Sequence, residues 1–173
     1  MKTRITLLCL IACAVLPVTA LGQGFTAGDR TLGLSGSGAS DDDLDNTILQ
    51  ADVSLGYFFS DNLAGEFRQG VSLIDVPGSS NDYSGATRVA VDYYLGTQDL
   101  CPLVGASLGY IYGDNVSDTW IAGPEVGLNW FVNETTYIMG SIEYDFFFSS
   151  GNEVTDAFDD GQFVYTLGIG FKF

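Results

Sequence analysis

The chain has 173 residues, enough for one domain, and a formal net charge of −16 with no histidine. So acidic a surface repels phosphate backbones, which argues against nucleic acid as a partner. Beyond the first 20 residues only Cys101 remains, so no internal disulfide can form, and no apolar run of about 18 residues is left for a helical membrane span.

The first 20 residues have the pattern of a secretory signal peptide. A short basic start at Lys2 and Arg4 precedes an apolar run that ends in small residues at Ala20. We predict cleavage after Ala20, with Gly22 as the alternative, which leaves a mature domain over 24–173. That domain carries four basic residues against 22 acidic ones, a formal charge of −18.

Eight segments of the mature chain alternate between bulky apolar residues and small or polar ones. A period of two predicts extended strands with unlike faces. In chain order, the predicted strands cover 29–37, 47–59, 63–74, 83–95, 102–112, 120–132, 136–148 and 162–173. The first has the weakest pattern. In the sixth, Pro124 removes one ladder hydrogen bond, so we expect a local bulge or bend there.

The last predicted strand, QFVYTLGIGFKF, has the clearest alternation. Its bulky face carries Phe163, Tyr165, Leu167, Ile169, Phe171 and Phe173. Its other face is small or polar. A strand of about ten residues with this pattern is the unit of a transmembrane β-barrel.

The predicted connections alternate in length. Those at 60–62, 96–101 and 133–135 are short, whereas those at 38–46, 75–82, 113–119 and 149–161 are longer, polar and rich in acids. Eight antiparallel strands place the short turns at one end and the long loops at the other. Outer-membrane barrels have this asymmetry, which predicts periplasmic termini and external loops.

Volume predicts which face of the strands is outside. Eight strands enclose a bore that is just wide enough for side chains, and the bulky set is too large to fit. We therefore expect lipid against that face, with two aromatic belts. The belt residues are Tyr57, Phe59, Tyr93 and Trp130 near the short turns, and Tyr110, Tyr112, Trp120, Tyr144, Phe146 and Tyr165 near the long loops. The alternative is a soluble, secreted β-sandwich.

The chain resembles the small outer-membrane β-barrels of the OmpA, OmpX and opacity-protein type. The resemblance lies in the signal sequence, the eight strands, the alternation of short and long connections, and the terminal YTLGIGFKF. This resemblance implies an all-β, eight-stranded, antiparallel up-and-down transmembrane barrel that is a monomer among outer-membrane lipid and lipopolysaccharide. It also implies that the terminal aromatic residues, Phe171 and Phe173, are read by the barrel-assembly machinery during insertion. The scaffold hosts many activities, so it implies none in particular.

Charged residues fall on the face predicted to line the bore. They are Asp52, Glu66, Arg68, Arg88, Asp92, Glu125, Glu143, Asp145 and Lys172. One interpretation is a gated polar pathway, and the other is an ion-pair network that fills the barrel. Pairing is expected in both, because unpaired charge is costly in a low-dielectric interior. Bore-facing glycines on the fifth, sixth and eighth strands would leave free volume for water.

Catalysis is not predicted, and neither is a cofactor. General-base chemistry near neutral pH usually uses histidine, and Glu143 and Asp145 have no nucleophile near them in the pattern. Acidic loops around 41–45 and 156–160 would either hold Ca²⁺ or Mg²⁺ through oxygen ligands or form a solvated, repulsive surface. They lack the spacing of an EF-hand, and we predict no metal site.

The function predicted from the sequence is that of a non-enzymatic, integral outer-membrane barrel with acidic external loops. Its role would be structural in the cell envelope or interactive at the surface. The alternative is a narrow, porin-like channel for ions or small solutes through the charged lumen.

Overall fold

Eight strands close into one antiparallel barrel in the computed structural model, which describes residues 24–40, 47–75, 82–96, 98–113, 118–148 and 161–173. The strands are β1 (Arg30–Ser40), β2 (Thr47–Ser60), β3 (Leu63–Asp75), β4 (Asp82–Tyr94), β5 (Leu100–Gly113), β6 (Thr119–Phe131), β7 (Thr136–Phe148) and β8 (Gln162–Lys172). Each predicted strand overlaps one of these, so the predicted fold class is confirmed. The predicted signal peptide lies outside the described residues.

Each strand pairs with its neighbour in sequence, and β8 closes the barrel on β1. The connections at 61–62, 95–99 and 132–135 therefore share one end with the start of β1 and the end of β8, which we call the short-turn end. The connections at 41–46, 76–81, 114–118 and 149–161 share the opposite, long-loop end. No helix in the described part of the chain is long and apolar enough to cross a membrane.

The bulky faces of the strands point away from the bore. Leu55, Val91 and Leu167 are 54%, 57% and 67% exposed, whereas Arg88 and Glu125 are 8% and 2% exposed. Strand β6 alternates along nearly its whole length between exposed and buried side chains. A narrow bore admits only the smaller set of side chains, so the apolar set covers the outside.

Pro124 faces outward on β6 and interrupts the ladder to β7. Pairing with β7 skips Gly123 and Pro124 and then resumes at Glu125↔Glu143 with the same offset as Ala122↔Phe146. No residue is inserted, so the expected irregularity is a gap in the ladder and not a bulge. The ladder from Pro124 to β5 continues, with Ala106 opposite.

Two glycines on adjacent strands, β7 and β8, differ in the space above them. An added Cβ at Gly170 would overlap the ring of Tyr137, its cross-strand partner, whereas the nearest atom at Gly140 is the Thr166 carbonyl oxygen, 3.8 Å away. The ring of Tyr137 thus lies in space that only glycine leaves open.

We expect Gly170→Ala to lower the free energy of unfolding by about 1–3 kcal/mol, as overpacked sites do. The matched change Gly140→Ala should be neutral or stabilise slightly, because it restricts the unfolded chain without a clash. Urea unfolding of the refolded barrel in lipid vesicles measures both. Equal effects of the two substitutions would contradict the packing of Tyr137 over Gly170.

Candidate functional site

The middle of the bore is occupied by two arginines from neighbouring strands. Arg68 on β3 and Arg88 on β4 are direct cross-strand partners. On the opposite side of the barrel, Glu125 on β6 and Glu143 on β7 are also direct partners. Like charges placed opposite each other on adjacent strands are destabilising by themselves. Here the positive charges of the arginine pair and the negative charges of the glutamate pair compensate each other across the bore.

Arg68 forms ion pairs with carboxylates from four strands, the longest of them to Glu143 on β7 at 3.9 Å. Its Nη1 and Nη2 donate to the two oxygens of Glu125, each at 2.8 Å, in a bidentate pair. Its Nε donates to Glu66 at 2.6 Å, and Nη2 lies 3.5 Å from Asp92 Oδ2. A planar guanidinium has a fixed fork of donors, so these contacts set its orientation across the lumen.

Arg88 forms the second set of contacts, nearer to the long-loop end. Its Nη1 donates to Glu143 at 2.6 Å and its Nη2 donates to Asp145 at 2.9 Å. The hydroxyl of Ser107 on β5 also donates to Glu143. Asp145 and Glu143 are almost fully buried, so each carboxylate depends on these donors in place of water.

Glycines on β5 make room for the long side chains of β4. An added Cβ at Gly105 would overlap Asp92, and one at Gly109 would lie 2.6 Å from Arg88 Cγ. The free volume predicted beside the bore-facing glycines is therefore filled here by the charged side chains, and beside Gly170 by Tyr137.

The charges of the lumen do not balance. Among the residues that the structure describes, six lumenal carboxylates (Asp52, Glu66, Asp92, Glu125, Glu143 and Asp145) face two guanidiniums, a formal charge of −4. Asp52 accepts a long hydrogen bond of 3.5 Å from Gln50 Nε2 and has no ion pair with any described cation. In the part of the chain that the structure describes, no group of three or more histidine, cysteine or acidic residues has an arrangement that could hold a metal ion.

A small polar cavity of about 50 Å³ remains in the lumen. It extends from the arginines toward β8, β1 and β2, where Thr166, Ser35 and Asp52 line it. At about 10–15 Å³ of such volume per water molecule, it has room for a few waters. Its lining of hydroxyls and carboxylates is polar enough to hold them.

An aromatic cluster closes the short-turn end of the bore, which the sequence did not predict. Phe25, which precedes β1, is 1% exposed and stacks on Phe58 at 4.2 Å between ring centroids. Its other neighbours are Tyr94, Phe131 and Tyr137, at 4.9 to 5.3 Å. Cys101 and Leu103 are buried in the same cluster, which we call the aromatic floor.

The sequence contains a signal for this floor. Phe58, Tyr94, Phe131 and Tyr137 are large aromatics on the face that is otherwise small or polar, each at the short-turn end of its strand. Phe25 itself lies outside every alternating segment, so no periodicity marks it. Only the closed barrel brings the four rings together around a space that fits a fifth ring.

The segment that carries Phe25 is held by hydrogen bonds to three parts of the barrel. The backbone N–H of Ala27 donates to Asp61 at 2.8 Å, and that of Gly28 donates to the Phe58 carbonyl at 2.8 Å. Lys172 Nζ donates to the Gly24 carbonyl at 2.7 Å. Gly28 has a φ of 92°, a left-handed conformation that glycine adopts readily, and it lies at the turn into β1.

Lys172 lies apart from the other charged residues that were predicted to line the bore. Its Nζ is 3.7 Å from Asp29 and 5.4 Å from the centre of the Phe131 ring, on the floor of the barrel. The aromatic floor separates it from the arginines. The remaining eight residues of the predicted set, from Asp52 to Asp145, line or border the cavity.

The aromatic residues predicted to form belts lie on the outside. Tyr57, Phe59, Tyr93 and Trp130 are exposed near the short-turn end, as are Phe171 and Phe173 at the end of β8. Near the long-loop end, Trp120, Tyr112 and Tyr165 are exposed, and Tyr110, Tyr144 and Phe146 are half-buried among other rings. Polar atoms on this face are paired, since Gln69 Nε2 donates to the Tyr112 hydroxyl at 2.9 Å and Thr87 donates to Gln69 at 2.8 Å.

The sequence matches no protein-family model and none of the curated proteins. Three of the solved structures that share the fold illustrate the similarity. The N-terminal β-barrel domain of Pseudomonas aeruginosa OprF aligns with a TM-score of 0.64 and 17% identity over 86% of this chain and 98% of that one. OprG from the same organism gives 0.59 and 18% over 88% and 99%. Neisserial surface protein A gives 0.52 and 15% over 83% and 94%.

These similarities concern the fold. The chain has the closed, eight-stranded architecture of small outer-membrane barrels, and the resemblance predicted from the sequence is confirmed at that level. At 15% to 18% identity, an activity does not follow from the match.

Proposed function

We propose that this protein is a non-enzymatic, integral barrel of the bacterial outer membrane, with a structural role in the envelope or an interaction role at the surface. The observation that carries the proposal is a bore filled in two layers inside an apolar exterior. The arginine–carboxylate network spans the middle, and the aromatic floor closes the short-turn end. A filled bore leaves the outside and the loops as the surfaces that meet partners.

The exterior supports insertion into a lipid bilayer. Large apolar side chains are exposed on every strand, in numbers that a soluble monomer does not present. Aromatic rings flank the aliphatic middle at both ends, as amphipathic rings do at the two membrane interfaces. The outer-membrane partners of this surface would be lipid and lipopolysaccharide, and the barrel-assembly machinery would read Phe171 and Phe173.

In this proposal the short-turn end and both termini face the periplasm, and the long loops are external. The acidic loop residues at 41–45 and 156–160 lie outside the described residues. Their proposed role is contact with lipopolysaccharide, ions or a surface partner, with the solvated repulsive surface as the alternative.

Fractionation of cells combined with protease treatment of intact cells tests location and topology together. We expect the protein in the outer-membrane fraction, with cleavage confined to the long connections between the described strands. Heat-modifiable migration on gels should accompany it. A soluble periplasmic protein, or cleavage at the short turns of intact cells, would contradict the proposal.

A narrow channel is the second candidate function, and the water-sized cavity beside an excess of carboxylates favours it. Planar-bilayer conductance separates the two candidates. We expect no openings in the purified protein and none in Arg88→Ala, because the aromatic floor closes the bore independently of the arginines. Regular openings in the wild-type protein would support the channel instead.

A further inference from the structure

Arg30 is an isolated cation on the outside of the barrel. Its side chain is exposed at the start of β1, on the face of the strand that also carries Leu32 and Leu34. No acid in the described part of the chain lies within ion-pair distance of its guanidinium. Among the described side chains, Arg30 is also the one charged group that faces outward from a strand at the short-turn end.

A row of cross-strand partners connects Arg30 to a gap in the apolar surface. Arg30 is opposite Tyr57 on β2, and Tyr57 is opposite Gly65 on β3. Neighbouring strands lie about 4.8 Å apart, so two strand spacings place Gly65 about 10 Å from Arg30. Gly65 has no side chain, and the ring of Phe59 bounds the space above it, 2.9 Å from the position of an added Cβ.

An apolar groove begins at this gap and runs toward the middle of the strands. On β3 it extends from Gly65 to Phe67, and on β4 it reaches Val89, five residues before the strand ends at Tyr94. At about 3.3 Å per residue, five residues are about 16 Å along the strand, which reaches into the hydrocarbon layer of a bilayer. The outward side chains along the groove are Leu55, Tyr57, Phe59, Phe67 and Val89.

The cation and the groove match the two parts of an anionic phospholipid. A guanidinium has a planar fork of donors that fits phosphate oxygens, and its apolar stem can lie along a neighbouring ring while the charged head stays at the interface. Tyr57 and Phe59 are in ring contact at 5.4 Å, and aromatic rings of this kind lie at headgroup level. An acyl chain attached to a phosphate at Arg30 would pass these rings and enter the groove.

The overall charge of the protein makes such a contact selective. The chain has a formal net charge of −16, which repels anionic lipids from its surface as a whole. Zwitterionic lipids have no net charge and are not repelled in this way. A preference for an anionic lipid therefore needs a local cation, and Arg30 supplies one beside the groove.

We propose that Arg30 and the groove over Gly65 form a binding site for one anionic glycerophospholipid. The phosphate would pair with the guanidinium of Arg30, and one acyl chain would lie in the groove between Tyr57 and Val89. The proposal rests on the proposed insertion of the barrel into a bilayer, but it does not depend on whether the bore conducts.

The test uses the full mature chain refolded in micelles of dodecyl maltoside, a neutral detergent. Native mass spectrometry counts the lipids bound per barrel during titration with phosphatidylglycerol or with phosphatidylcholine of the same acyl chains. We expect one phosphatidylglycerol to bind with about tenfold higher affinity than phosphatidylcholine, because only its phosphate lacks an attached cation. Glycerol 3-phosphate, which has the phosphate but no acyl chains, should not form the complex.

The polar half of the site is tested by Arg30→Gln. It should lower the affinity for phosphatidylglycerol by about tenfold, to that for phosphatidylcholine. Lys172→Gln is the matched control, since it removes the same charge at the same end of the barrel. The ammonium group of Lys172 is bound to the Gly24 carbonyl and lies near Asp29, away from the groove, so this variant should keep the preference.

The apolar half is tested by Val89→Trp, which fills the groove from β4. Val126→Trp is its matched control, because Val89 and Val126 are 52% and 53% exposed on the outside and only Val89 lines the groove. Val89→Trp should weaken phosphatidylglycerol binding by about tenfold, the effect of about two methylene groups that lose their burial. Val126→Trp should leave the affinity unchanged.

Four results would overturn the proposal: equal affinities for the two lipids, equal losses in Arg30→Gln and Lys172→Gln, unchanged binding in Val89→Trp, or a dimer of barrels that forms in place of the lipid complex. All the substituted side chains of the site face outward, so the variants are expected to fold, and heat-modifiable gel mobility checks that they do. The measurement uses purified protein and is independent of fractionation and conductance. Failure of this site is thus distinguishable from failure of the proposed function.

Discussion

Replacing Arg88 with alanine is expected to lower the free energy of unfolding by about 3–5 kcal/mol, the range for breaking one side of a buried ion pair. Arg88 is 8% exposed and donates to both Glu143 and Asp145. Its loss leaves these two carboxylates buried in the bore with their main cation removed. Urea unfolding of the refolded barrel in lipid vesicles, followed by the shift from folded to unfolded gel mobility, measures the change.

The matched control for Arg88 is Arg30→Ala. Arg30 has the same charge but is exposed at the start of β1, so its removal should change stability by no more than about 0.5 kcal/mol. A rescue variant isolates the electrostatic part. Arg88→Met combined with Glu143→Gln and Asp145→Asn removes the orphaned charges, and we expect it to recover most of the lost stability. A loss below about 1 kcal/mol in Arg88→Ala would contradict a compensated network.

Phe25→Ala is expected to lower the free energy of unfolding by about 3 kcal/mol, the lower end for removal of a buried phenylalanine. Phe25 is the ring that contacts Phe58, Tyr94, Phe131 and Tyr137 together, so its truncation leaves a cavity at the centre of the aromatic floor. The segment before β1 then retains its hydrogen bonds but loses its main apolar contact.

The same substitution has a local effect that a general loss of stability would not mimic. Cys101 is 0% exposed in the aromatic floor, and its thiol donates to the Gln98 carbonyl at 2.8 Å. Opening of the floor should raise its rate of labelling by a membrane-impermeant maleimide by about tenfold or more, under conditions in which the barrel stays folded.

Phe59→Ala is the matched control for Phe25. Phe59 lies at the same end of the barrel but faces outward and is 62% exposed. Its truncation should leave the labelling rate of Cys101 at the wild-type value. If Phe25→Ala and Phe59→Ala gave equal labelling rates, the ring of Phe25 would not be what seals the short-turn end.

The strands and their two faces could be predicted from the amino-acid sequence. A side chain alternates with a period of two whatever lies beyond the strand, so the pattern is local and can be read without the fold. The faces of β6, from Trp120 to Trp130, are those that the alternation predicted. The small volume of an eight-stranded bore then decides that Leu55 and Val91 face outward and Arg88 faces inward.

The contacts between inward-facing residues, in contrast, depend on how the barrel closes. Arg68 and Glu125 are 57 positions apart, and their bidentate contact depends on the register of several strand pairs and on closure of the barrel. The same closure brings Phe25 beneath four rings from β2, β4, β6 and β7, and leaves Lys172 below them with Asp29. Alternation assigns a residue to a face but carries no information on its height relative to a distant strand. For the same reason, nothing in the sequence indicated that pairing between β1 and β8 ends early, at Gly36 and Leu167. Local periodicity does not encode how many residues two distant strands pair over.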